Sequence, residues 1–163
     1  MMRFKVRERI VAIGNDSWIE DEAGERAFHV DGKVLGVRQT FELKDVDGAV
    51  LAVIRRKMLG IHNAMTVERD GRQAAVVRKH LINLPRDRFT VELAGGGEWA
   101  VSGNVFNKTY TIEGDAGPVA VISRKWVRVR DAYDVELPDD TPDVPLVLAV
   151  AVAVDTLAEG KGG

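Results

Sequence analysis

The chain has 163 residues, a formal net charge of −2, 45% hydrophobic and 29% charged residues, and no cysteine. A chain of this length buries about 70% of the surface it exposes when unfolded, so one domain over residues 1–159 is expected, and the composition excludes a disordered or collagen-like chain. The near-neutral charge argues against a nucleic-acid partner. The missing cysteines exclude disulfides, thiolate metal sites and a cysteine nucleophile, which suits a reducing cytoplasm.

The first residues, Met1 to Val11, place isolated apolar side chains between charges and lack the apolar core of a secretory signal, so no export is expected. From residue 4 to residue 137 the dominant period is two, in runs such as Phe4/Val6, Val50/Ala52/Ile54, Val91/Leu93 and Val119/Val121. Alternation of this kind, rich in β-branched residues and broken by Asp-Gly and Gly-Gly-Gly, predicts many short antiparallel strands.

Three stretches repeat one plan: residues 41–57, 65–79 and 110–125 each run from an apolar strand through an acidic-glycine turn to a second apolar strand and a basic pair. A longer repeat joins the halves, since Phe28-His-Val-Asp-Gly-Lys-Val34 matches Trp99-Ala-Val-Ser-Gly-Asn-Val105. The chain therefore reads as a duplicated meander, and a closed barrel, which leaves no free sheet edge, is the expected solution.

Near the C-terminus the pattern changes. Asp143 is placed to cap a helix, Pro145 fits a first helical turn, and Leu146 to Val154 is apolar on every side. A buried helix and a fully buried strand both fit such a run. From Val144 to Val154 it is also far short of the roughly 20 residues needed to cross a bilayer, so no transmembrane segment is expected. Residues 160–163, Gly-Lys-Gly-Gly, read as a flexible tail.

Taken together, residues 48–62 with Arg56-Lys57-Met-Leu-Gly-Ile-His62, residues 119–126 with Ser123-Arg-Lys-Trp126, Asp131-Ala-Tyr-Asp-Val-Glu136, and the terminal run ending Val154-Asp155 resemble a bacterial member of the LURP-one-related family. The likeness covers essentially the whole chain. That family's domain is similar to the tubby C-terminal domain and, more remotely, to phospholipid scramblases. The resemblance implies an antiparallel barrel of about twelve strands around a buried hydrophobic C-terminal helix, and so decides for the helix. In tubby domains a basic pocket on the barrel surface binds phosphoinositides. The calcium-linked segment and membrane anchor of scramblases have no counterpart here, and the tubby pocket does not carry over residue by residue.

The basic pairs are the expected ligand or anion site: Arg55, Arg56 and Lys57; Arg78 and Lys79; Arg124 and Lys125, continued by Trp126, Arg128 and Arg130. Strict alternation puts Arg124, Trp126, Arg128 and Arg130 on one face, where arginines around an aromatic ring suit phosphate or an anionic membrane. The competing reading is that strand-end charges solubilise the barrel and block edge pairing.

Other constellations offer less. His29, His62 and His80 lack metal-ligand spacing. Asp139, Asp140 and Asp143, with Asp134 and Glu136, lack the order of a calcium loop and are explained by capping near a helix start. Ser17, Ser102 and Ser123 lie in no nucleophile elbow, and Gly95-Gly-Gly97 lacks the residues of a phosphate loop. No catalytic residues, metal or cofactor are expected. The chain is expected to be a non-enzymatic cytoplasmic binding or scaffold domain, peripheral at a membrane, whose partner is an anionic phospholipid, a phosphorylated small molecule or an acidic protein. An enzyme with a dispersed site and a purely structural module are the alternatives.

Overall fold

The computed structural model describes residues 1–10, 15–35, 38–59, 62–80, 86–104, 106, 108–124 and 132–158. Among them the period-two segments form twelve strands: β1 (Met2–Ile10), β2 (Asn15–Glu20), β3 (Arg26–Leu35), β4 (Arg38–Asp45), β5 (Val50–Leu59), β6 (His62–Arg69), β7 (Arg72–His80), β8 (Arg86–Leu93), β9 (Glu98–Asn104), β10 (Thr109–Gly114), β11 (Gly117–Ser123) and β12 (Ala132–Leu137). The apolar terminal run is a helix, α1 (Val144–Ala158). Every strand pairs antiparallel with its neighbour in sequence, and β1 pairs with β12, so the sheet closes into a barrel.

The turns follow from local chemistry. Asp70 and Gly71 both take positive φ, 51° and 74°, as a two-residue hairpin matched to strand twist requires. At Asp21 one carboxylate oxygen accepts the N–H groups of Ala23 and Glu25 at 2.9 and 3.0 Å. Asp45 repeats the arrangement with Asp47 and Ala49, both at 2.9 Å. These aspartates fold the chain back without help from distant residues.

Because strands alternate in direction, the β2–β3, β4–β5, β6–β7, β8–β9 and β10–β11 turns share one end of the barrel with the start of α1. The other end receives the basic termini of β5, β7 and β11. Each of the three sequence repeats is thus one hairpin, β4–β5, β6–β7 or β10–β11, with its acidic turn at the first end and its basic pair at the second. The longer repeat superposes β3 on β9 and β5 on β11, partners six places apart around the barrel.

Alternation sends one set of side chains inward: Val6, Ile19, Val30, Leu43, Ile54, Val67, Val77, Phe89, Val91, Val101, Ile112, Ile122 and Val135 line the core. On β11 both faces are apolar, so the sequence pattern does not choose between them; Ala120 and Ile122 face the core, while Val119 and Val121 are only half-buried. Val147 to Leu157 fill the barrel and are buried throughout. Ala149, Ala151 and Ala153 have no exposed surface, and their small side chains let the strands approach the helix axis closely. α1 lies nearest β5, β6 and β7, with lighter contacts to β8 and β11.

The helix is held at both ends. At its start the Asp143 carboxylate accepts the Leu146 N–H at 3.2 Å, the N-cap expected of this residue, and also meets the Arg69 guanidinium. At its finish Lys79 Nζ donates to the Leu157 carbonyl at 3.3 Å. Thr156, buried on the helix, returns its hydroxyl to the Val152 carbonyl at 2.7 Å.

Candidate functional site

Aligned on the core residues Ile54, Val77 and Ile122, the three basic segments sort into an inward and an outward set. Arg56, Lys79 and Arg124 occupy the inward position; Arg55 and Arg78 lie one residue earlier, where β11 has Ser123. The second pair is therefore offset by one residue from the third, and Lys79, not Arg78, is the counterpart of Arg56 and Arg124. All three inward cations reach the interior at the end where α1 finishes. That end of a helix carries partial negative charge from its last carbonyls, and α1 has no basic residue of its own in its last turn.

Arg124 is the most firmly placed of them. Its Nη2 lies 2.8 Å from both Asp155 carboxylate oxygens and its Nε 3.0 Å from one of them. The two side chains are only 10% and 4% exposed. The guanidinium carbon also sits 5.0 Å from the centre of the buried Tyr133 ring. Arg56 is 8% exposed, and burial lowers its pKa below the ordinary arginine value by disfavouring the charged form. These inward cations belong to the packing of helix and wall.

Outward, Arg55 pairs with Glu68 at 3.1 Å and Arg78 with Glu92 at 3.3 Å. Both pairs run diagonally between strands and flank Thr66 and Val76, which are buried despite their outward position. Lys57 is exposed and makes no ion pair among the described residues. Lys125, Trp126, Arg128 and Arg130 lie outside the described residues, as does the His62 side chain.

Two further cations on the outer face escaped the sequence reading. On β8, Phe89 and Val91 face the core while Arg86 and Arg88 are exposed. In register, Arg86 stands beside Asn104 and then Thr109; Arg88 stands beside Ser102 and then Thr111. Arg86, Ser102, Asn104, Thr109 and Thr111 line a shallow depression of about 270 Å³. Neither arginine makes an ion pair among the described residues. Beyond the end of β9 lie Lys108 and Phe106, the latter 82% exposed. Period two was the available signal: the order Arg-Asp-Arg-Phe-Thr-Val over residues 86–91 places the arginines opposite the apolar residues.

The remaining candidates have local partners. His29 stacks on Trp18 with ring centres 4.5 Å apart, and Arg26 covers the same indole at 4.2 Å. His80 Nε2 lies 2.6 Å from the Thr90 hydroxyl. Asp139 accepts from the Met1 amino group at 2.8 Å and Glu136 pairs with Arg3. Among the described residues no three His, Asp or Glu side chains gather as metal ligands. No helix among them is long and apolar enough to cross a membrane.

Comparison with known proteins agrees with this architecture in extent. Residues 2–155 match the family described as LURP-one-related. The chain is also similar to the "Uncharacterized protein YxjI" of Bacillus subtilis (strain 168), 18% identical over 155 residues that cover 95% of this chain and 93% of that one. With the family match running from the first strand of the barrel to the buried aspartate of its helix, the chain belongs to the LURP-one-related family.

Proposed function

We propose that the chain is a non-enzymatic binding domain of tubby type that docks on anionic membrane surfaces through the basic end of its barrel. The observation that carries this reading is the set of exposed cations Arg86, Arg88 and Lys108 at that end, with the 82% exposed Phe106 between β9 and β10. Guanidinium and hydroxyl donors in adjacent registers suit the oxygens of phosphate head groups. An exposed aromatic ring beside cations suits the membrane interface, where the ring enters the acyl boundary and the charges stay with the head groups. The resemblance to tubby domains points the same way. A cysteine-free chain fits the reducing cytoplasmic side.

Each basic residue near an anionic surface contributes about 1 kcal/mol at modest ionic strength, so binding is peripheral and salt-sensitive. Flotation with vesicles of phosphatidylserine in phosphatidylcholine, against phosphatidylcholine alone, tests the reading. The protein is expected to float with the anionic vesicles at low salt and to lose this at high salt. R86E/R88E is expected to abolish flotation with an unchanged melting temperature, and Phe106→Ser to weaken it. Equal, negligible binding to both vesicles at low salt removes the proposal.

A further inference from the structure

At the opposite end of the barrel, where α1 begins, a cleft of about 390 Å³ opens between the β10–β11 turn, the start of β9 and the segment leading into the helix. Its size falls within the range of small-molecule sites, roughly 300–1,000 Å³. Its floor and walls are apolar: Trp99, Pro118, Val119, Pro138, Pro142 and Leu146. Gly114 makes the wall possible, because a Cβ there would stand 2.9 Å from Trp99 Cδ1 and 3.2 Å from Nε1. The indole thus lies against bare backbone of β10.

We propose that this cleft binds small organic cations that carry an apolar body, such as aralkyl ammonium ions. Helix starts ordinarily attract anions, but here several of the donors are unavailable. Pro145 has no N–H, the Leu146 N–H is taken by the Asp143 side chain, and the Val147 N–H goes to the Asp143 carbonyl at 3.3 Å. Asp143 itself is occupied by Arg69, and the Thr141 hydroxyl by the Pro138 carbonyl at 2.7 Å. What faces an incoming ligand is the indole and the carboxylates of Asp115 and Asp140. Both are exposed and make no ion pair among the described residues. Among the described residues no lysine or arginine lines the cleft. An ammonium group therefore meets opposite charge at the rim and an aromatic face within, while its apolar body displaces water from the prolines and Leu146.

This site is independent of the basic end, and its test uses different ligands. In a W18F/W126F variant, Trp99 is the remaining tryptophan of the three and reports directly on the cleft. Phenethylammonium, 2-phenylethanol and phenylacetate share one ring and differ in charge. Titration is expected to give a saturable change in Trp99 emission with the cation, at an affinity at least about tenfold above that for the anion. D115N/D140N, which changes only exposed groups, is expected to remove that preference and leave the weak response to the alcohol. Calorimetry on the unaltered protein with the same three probes gives the same ranking without the tryptophan replacements. Equal responses to cation and anion, a cation affinity unchanged in D115N/D140N, or no saturable binding of phenethylammonium at millimolar concentration would each overturn the proposal.

Discussion

Arg124 holds Asp155 through both carboxylate oxygens, tying the end of the β11 strand to the last turn of the helix that fills the barrel. With both side chains almost fully buried, removing one partner strands the other in a low-dielectric interior. Arg124→Met or Asp155→Leu alone is expected to cost about 3–5 kcal/mol. The R124M/D155L double replacement removes both charges and restores most of that loss, since apolar substitutes for a buried pair are often neutral. Urea unfolding of the four proteins measures the coupling. Additive losses in the double variant would show that the two residues act separately.

Asp143 serves the other end of the helix in two capacities. As N-cap it accepts the Leu146 N–H, and as an anion it meets Arg69 across a partly exposed pair. Asp143→Ala is expected to lower stability by about 1–2 kcal/mol. Asp143→Asn keeps an acceptor for the cap and loses only the ion pair, worth under about 1 kcal/mol at such exposure. Thermal unfolding should rank wild type above Asn above Ala.

Gly103 faces the ring of Tyr110 with no room for a side chain: a Cβ there would fall 2.1 Å from Cδ1 and 2.3 Å from Cε1. Gly103→Ala should therefore displace a buried tyrosine that packs edge-on to Phe89 at 6.0 Å. A loss of about 1–3 kcal/mol is expected, together with a changed near-ultraviolet circular dichroism signal. Tyr110→Leu in the Gly103→Ala background should recover part of it, because the flexible chain can yield where the ring cannot.

A chain ending at Asp143 should not fold. The strands would enclose water where Val147 to Leu157 now sit, and each buried valine or leucine is worth roughly 1.5–3 kcal/mol. No cooperative melting transition is expected from calorimetry of the truncated protein, and an unchanged transition would mean that the wall stands without its filling.

Turns were legible because their chemistry is local: Asp21 and Asp45 bond to amides within four residues of themselves. Closure followed from the duplicated meander and the need to leave no free edge, and the number of strands from the resemblance alone. The roles of the basic pairs were not legible in the same way. Whether Lys79 or Arg78 turns inward depends on one residue of spacing from Val77, and that Lys79 meets Leu157 and Arg124 meets Asp155 depends on contacts across 78 and 31 positions of sequence. Local pattern carries no record of such distances. Arg86 and Arg88, by contrast, were available to the alternation rule and were passed over because they form no adjacent pair.

The wall of this barrel repeats after six strands, and its filling does not. Arg56 in β5 and Arg124 just past the end of β11 stand at matching places, yet the helix between them has one direction and carries one Asp155, which turns toward Arg124. Two halves that began as identical copies would answer to unlike demands as soon as a single asymmetric rod entered between them. The helix is therefore a symmetry breaker as well as a core. The repeated wall meets it at unlike groups, through Arg124 at the Asp155 side chain and through Lys79 at the Leu157 carbonyl.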